Sequence, residues 1–264
     1  MICDGKQLLV WLVEYLLCER GESANGDSLS AVEESELWRR FRALVNTRAP
    51  EPADETFLKR QDALLQAMIA DVGVTGAAAL APCTNDGRIS IWRGDITTLA
   101  ADAIVNAANS QMLGCWVPGH HCIDNAIHTF AGVQLRIECD RIMREQGHEE
   151  PTGSAKVTQA FNLPSRWVIH TVGPIADGHP SHMHQRQLGQ CYTSCLDAAA
   201  ELGCRTIAFC CISTGVFGFP QEDAARIATD TVQGWLDACS DTALKVVFNV
   251  FNRRDEAIYR DILG

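Results

Sequence analysis

Apolar positions along the chain fall into two regimes. From Leu8 to Val72 they recur at helical spacing. Leu8, Leu9, Leu12, Tyr15 and Leu16 form one set, and Leu37, Phe41, Leu44 and Val45 a second. Leu58, Leu64, Leu65, Met68 and Ile69 form a third. Gly21 to Ser30, rich in Gly, Ser, Asn and Asp, reads as a loop between the first two sets. Pro50 and Pro52 separate the second from the third, because proline disfavours helix at itself and at the preceding residue. The pattern predicts a helical extension over residues 1–75. No residue grouping in it points to chemistry, so its expected role is packing or partner recognition.

Beyond Gly87 the period changes. Arg88–Trp92, Ala103–Val105, Trp167–Val172, Thr206–Cys210 and Leu244–Val250 read as strands. Ile123–Gln146, Leu188–Leu202, Pro220–Cys239 and Asp255–Leu263 read as helices. Strands alternating with helices of this length predict a three-layer α/β/α domain over residues 76–264, with a mixed, largely parallel sheet. Ligands of such sheets bind outside the carboxyl ends of the strands, so the loops that follow the strands are where chemistry is expected.

Composition narrows the class. Of 264 residues, 33 are acidic and 22 basic, a formal charge of −11, which argues against nucleic acid and anionic membranes as partners. The apolar run Leu8–Cys18 contains Glu14 and is shorter than the roughly 20 residues that span a bilayer. A signal peptide would need a basic start and a small-residue cleavage site, and neither is present. Twelve irregularly spaced cysteines fit a reduced, cytoplasmic protein better than a disulfide scaffold, and leave thiols available for metal.

Four loop segments carry a resemblance. They are Gly94-Asp95-Ile96, Val105-Asn-Ala-Ala-Asn109, Ile169-His-Thr-Val-Gly-Pro174 and Ser213-Thr-Gly-Val-Phe-Gly-Phe-Pro220. Together, and in this order, they resemble the macrodomain family of ADP-ribose-binding proteins over roughly residues 85–264. Read as residues, Asp95 is a carboxylate that can accept a hydrogen bond from an exocyclic amine or cap the turn after it. Asn106 and Asn109 can grip ribose hydroxyls or close a turn. Ser213, Thr214, Gly215, Val216, Phe217 and Gly218 form a small-residue loop, whose backbone N–H groups and following helix suit an anion. The resemblance places adenine at Asp95 and Ile96 and the diphosphate at residues 213–218. Phe251, after the last strand, either stacks on adenine or packs in the core.

One segment departs from the family. Where macrodomains carry a glycine run, this chain has Cys115-Trp-Val-Pro-Gly-His-His-Cys122, before a family-like Ile123-Asp-Asn-Ala-Ile-His128. Two thiols and an imidazole at this spacing suit Zn²⁺, and three protein ligands leave a fourth position open, as catalytic sites do. The segment resembles the zinc-dependent macrodomain subfamily, whose spacing selects Cys115, His120 and Cys122 over the rival His121.

These resemblances imply a zinc-dependent hydrolase that removes single ADP-ribose units from modified proteins, the acceptor being a carboxylate. Asn109 and Asp124 are its expected catalytic residues. Asp124 serves as a base or orients the ribose, unless it simply caps the helix after it. A non-catalytic ADP-ribose reader and a zinc-stabilised interaction module are the competing readings. His170 is expected to be a core histidine, His128 to anchor the loop, and His179, His182 and His184 to lie in a solvated loop.

Overall fold

Parallel neighbours in a sheet need a crossover between them, and helices supply most of the crossovers in this fold. The computed structural model describes residues 5–23 and 26–264. In chain order the elements are α1 (Gly5–Glu19), α2 (Gly26–Ser30), α3 (Glu34–Asn46), α4 (Glu55–Val72), β1 (Thr75–Gly76), β2 (Ile89–Arg93), β3 (Leu99–Ala100) and β4 (Ala103–Ala108). They continue as α5 (Ile123–Ala131), α6 (Val133–Gln146), β5 (Ala155–Gln159), β6 (Trp167–Val172), α7 (His182–Glu201), β7 (Thr206–Phe209), α8 (Gln221–Ala238), β8 (Lys245–Val250) and α9 (Arg253–Leu263).

The main sheet runs β2-β8-β7-β4-β6-β5, all parallel except the edge pair β5–β6. It is the mixed, mostly parallel sheet that the alternation predicts. Its middle strands are mostly apolar and are buried on both faces, as strands covered by helices on two sides must be. Helix α5 lies on β4 and α6 on β5; α7 packs on β5 and β6 and continues through α8 to α9, which covers β2 and β8. The carboxyl ends of β2, β8, β7, β4 and β6 therefore share one edge, and the loops at 94–98, 109–122, 173–181 and 210–220 gather there.

The helical extension has its own apolar cluster. Leu9, Leu12, Leu16, Leu37, Phe41, Phe57 and Leu65 interlock, and Val133, Phe130 and Ile137 of the α/β body join them. Gln61 of α4 is buried and accepts the Val133 backbone N–H at 3.0 Å, satisfying the start of α6 from across the boundary. No helix among the described residues is long and apolar enough to cross a membrane.

Three expectations change. The predicted loop Gly21–Ser30 contains the short helix α2, with residues 24 and 25 outside the described part. The predicted single helix Ile123–Gln146 is two, broken at Gly132. There φ is +95°, and a Cβ would lie 2.6 Å from Gln61 Nε2 and 2.5 Å from Gln134 Oε1. His182 and His184 are not in a loop but begin α7, whose capping box pairs Ser181 with His184.

Candidate active site and metal centre

The loop after β4 folds back on itself through Asn109. Its Oδ1 accepts the Gln111 N–H at 3.0 Å and its Nδ2 donates to Gly114 O at 3.1 Å, so the amide closes the turn that begins the loop. Gly114 has φ +78°, and a Cβ there would lie 2.7 Å from the His128 ring. Only glycine fits that approach. The chain then runs through Trp116 and Val117, both exposed, and returns to enter α5.

Cys115, His120 and Cys122 converge at that return, their ligand atoms all within 4.8 Å of one another. Cys115 Sγ stands 3.5 Å from His120 Nδ1. A thiolate at about 2.3 Å and an imidazole nitrogen at about 2.0–2.1 Å from one tetrahedral zinc lie about 3.6 Å apart. The donor set and its spacing therefore fit a zinc ion. Cys122 caps α5, its Sγ accepting the Asn125 N–H at 3.4 Å, while burial first, and the neighbouring Cys115 and Asp124, push its thiol up to about 12. His121 is exposed and stands outside the set.

Asp124 follows in the first turn of α5. It is not the helix cap, because Cys122 occupies that position. Asn106 Nδ2 donates to its Oδ1 at 2.8 Å, while Oδ2 carries no hydrogen bond from the described residues. Burial raises its carboxyl to about 6, against the lowering effects of Asn106 and the Arg136 charge. Asn106 itself is fully buried. Its second amide hydrogen goes to His170 Nδ1 at 3.1 Å, so it lies beneath the cleft and orders Asp124 rather than reaching a ligand.

A second histidine and thiol grouping, His128, Cys139 and His170, lies behind Asp124. His170 accepts from Asn106 at Nδ1, which makes Nε2 the protonated nitrogen that meets Thr158 Oγ1 at 3.0 Å. With its lone pair engaged, His170 is a satisfied core histidine and a poor metal ligand. His128 lies within α5 and is buried; neither ring nitrogen has a hydrogen-bond partner among the described residues, and Nε2 is 3.6 Å from Asp124 Oδ1.

The other cleft loops meet at the same edge. Asp95 Oδ1 accepts from Thr97 N at 2.9 Å and Thr97 Oγ1 at 2.7 Å, the capping role weighed for it. The Ile96 side chain belongs to the core, so only its backbone can face a ligand. Asn249 Nδ2 donates to Gly94 O at 2.9 Å, tying the Asp95 loop to the end of β8. Phe251 is 77% exposed, which removes core packing as its role. In the loop after β7, Ser213 takes φ +65° and Phe219 N donates to Ser213 O at 2.9 Å. Across it, the Ala176 and Gly178 N–H groups donate to Phe217 O and Gly218 O, both at 2.8 Å. The N–H groups of Gly215, Val216 and Phe217 find no acceptor among the described residues. A curled loop presenting free amides is an anion nest.

Sequence reasoning missed Arg42, Asn46, Asn125 and Arg136. Arg42 of α3 donates to Asn125 Oδ1 at 2.8 and 3.1 Å and to His120 O at 2.8 Å. Asn46 accepts the Gly119 N–H at 2.9 Å and donates to Thr129 Oγ1 at 3.0 Å. Arg136, buried and lowered to about 10 by that burial, donates to Leu113 O at 2.6 Å and Arg48 O at 2.8 Å and stacks on Trp116 at 4.1 Å. The only local signal was that Arg42 and Asn46 flank the apolar stripe of α3.

A mostly parallel α/β fold brings a loop of free backbone amides, a carboxylate that caps a turn, and a three-donor loop to one edge of the sheet. The profile of the Macro domain family matches residues 105–228. A Treponema medium protein named protein-ADP-ribose hydrolase is 53% identical over 261 residues, covering 98% of this chain and 99% of its own length. Among solved structures, the Trypanosoma brucei macrodomain in complex with ADP-ribose superposes with a TM-score of 0.64 at 30% identity, covering 84% of this chain and 95% of that one. The Oceanobacillus iheyensis macrodomain with ADP gives 0.59 at 38% identity, covering 66% and 88%. The chain belongs to the macrodomain family.

Proposed function

We propose that the chain is a zinc-dependent hydrolase that removes ADP-ribose from modified protein side chains, with a carboxylate as the acceptor. The observation that carries the reading is the Cys115–His120–Cys122 set, its ligand atoms within 4.8 Å of one another in the loop that Asn109 closes and Asp124 follows. Its near full-length relative from Treponema medium carries the name protein-ADP-ribose hydrolase.

Cys115, His120 and Cys122 would hold the ion, which supplies Lewis acidity and lowers the pKa of a bound water toward about 7. The chain's own residues do the rest. The free amides of Gly215, Val216 and Phe217 hold the diphosphate, with Thr214 and Gly218 shaping the loop. Backbone amides explain how a chain of charge −11 takes an anionic ligand, since they bring local positive dipoles without a basic patch. Asp95 and the Ile96 backbone receive the adenine, and Phe251 offers its exposed ring to stack on it.

Asp124, steadied at Oδ1 by Asn106, accepts a hydrogen bond at Oδ2 from the distal ribose or from the water that attacks its anomeric carbon. Water adds its oxygen to that carbon as the bond to the acceptor oxygen breaks. One water proton stays on the new anomeric hydroxyl, and the other passes to the released carboxylate or to solvent. Hydrolysis of a mono-ADP-ribosylated protein by native, chelated and Cys122→Ala forms tests the reading. Loss in both altered forms, with restoration of the chelated form by Zn²⁺, supports it. Undiminished turnover by Cys122→Ala sinks it.

A further inference from the structure

The helical extension touches the metal loop directly at two points and braces a third through Arg136 of α6. Arg136, itself bound to the carbonyls at the end of α3, holds the loop's entry at Leu113 O. Asn46 holds its middle at the Gly119 N–H. Arg42 holds its exit, at His120 O and Asn125 Oδ1. Asn125 passes that grip on in two directions. Its backbone N–H meets Cys122 Sγ at 3.4 Å, and its Nδ2 donates to Val117 O at 3.1 Å.

A single forked guanidinium thus fixes the backbone of one candidate ligand and, through Asn125, the sulfur of another. Support around metal ligands orients them and governs affinity for the ion. We propose that Arg42 is a positioning residue for the metal, and that the helical extension is therefore a working part of the metal site rather than an appendage. The inference rests on the zinc reading of Cys115, His120 and Cys122.

The test uses the full chain as native protein, Arg42→Ala, Arg42→Lys and Cys122→Ala. Zn²⁺ affinity is read by competition with a chromophoric chelator, and ligand geometry by the visible absorption of Co²⁺-substituted protein. Melting of the metal-free forms reports folding. Arg42→Ala is expected to lose about 10-fold or more in Zn²⁺ affinity and to alter the Co²⁺ spectrum, while its metal-free melting stays near native. Arg42→Lys keeps the charge but not the fork, and is expected to fall between the two. Native-like Zn²⁺ affinity in Arg42→Ala, beside loss in Cys122→Ala, overturns the role of Arg42 and leaves the metal reading standing. Absence of Zn²⁺ binding by the native chain overturns both. If Arg42→Ala fails to fold, unchanged affinity in Arg42→Lys overturns the proposal.

Discussion

Asn106 Nδ2 and Asp124 Oδ1 are 2.8 Å apart, both residues buried, and the same amide group also serves His170. The pairing fixes the amide orientation, because the Asn106 oxygen could not face a carboxylate. Asn106→Ala leaves both Asp124 and His170 without a donor. Unpaired buried polar groups cost about 1–3 kcal/mol each, so urea unfolding is expected to show a loss of that order. Turnover of a mono-ADP-ribosylated protein is expected to fall about tenfold or more, because outer-shell support at such sites carries effects of 10–100-fold. Retained turnover at reduced stability would show that Asp124 needs no steadying.

The anion nest depends on a close approach behind it. A Cβ on Gly173 would lie 2.1 Å from Ser213 Oγ and 2.9 Å from an Ile212 methyl. Gly173→Ala must push Ser213 away and move the amides that follow. Overpacking of this kind costs about 1–3 kcal/mol. Calorimetric titration is expected to show ADP-ribose binding weakened about tenfold, while Gly87→Ala, with open space around its Cβ, binds normally.

Acid should weaken the folded state through its buried rings. Burial lowers His170 to about 3 and holds His128 well below its usual 6.5. The unfolded chain gives both rings ordinary values, so below pH 6.5 it takes up protons that the folded chain refuses. Stability from these groups is complete above pH 6.5 and is lost as the pH falls toward 3. Asp124 works in the opposite sense, holding a proton up to about 6 when folded and to 3.8 when unfolded. Two rings against one carboxyl leave a net loss on acidification. His170→Gln removes one ring, and urea unfolding at pH 7 and pH 5 is expected to show a smaller difference by about 2 kcal/mol. An unchanged difference would contradict the account of His170.

Gln61 tests the junction between the helical extension and the body. Its Oε1 takes the Val133 N–H, and its Nε2 donates to Gln134 Oε1 at 2.8 Å. Gln61→Ala is expected to lower the melting temperature by an amount that corresponds to about 1–2 kcal/mol, the usual worth of a lost helix cap. Turnover at room temperature should hold, since Gln61 touches neither metal loop nor cleft.

Much of this was legible in the chain. The helical period at Leu37, Phe41 and Leu44 and the strands Trp167–Val172 and Lys245–Val250 follow from hydrophobic spacing, which local backbone geometry obeys. Cys115, His120 and Cys122 stood out because eight residues hold all three. The break at Gly132 had one local mark, the glycine itself, but the Gln61 side chain that meets the Val133 N–H there comes from 72 residues earlier in the chain. The role of Arg42 was hidden by such a separation. Its partner Asn125 is 83 residues away, and nothing in either neighbourhood marks the pairing. Asn106 shows the complementary limit, where the motif was readable but its burial, and so the job of its amide, was not.

The central claim is that zinc held by Cys115, His120 and Cys122 makes this loop hydrolytic. The most direct measurement is turnover of a mono-ADP-ribosylated protein during stepwise return of Zn²⁺ to the chelated chain, with bound metal counted at each step. The account predicts activity that rises in proportion to bound zinc and levels at one ion per chain, with no recovery in Cys122→Ala. Full activity in chain shown to hold no metal would contradict it.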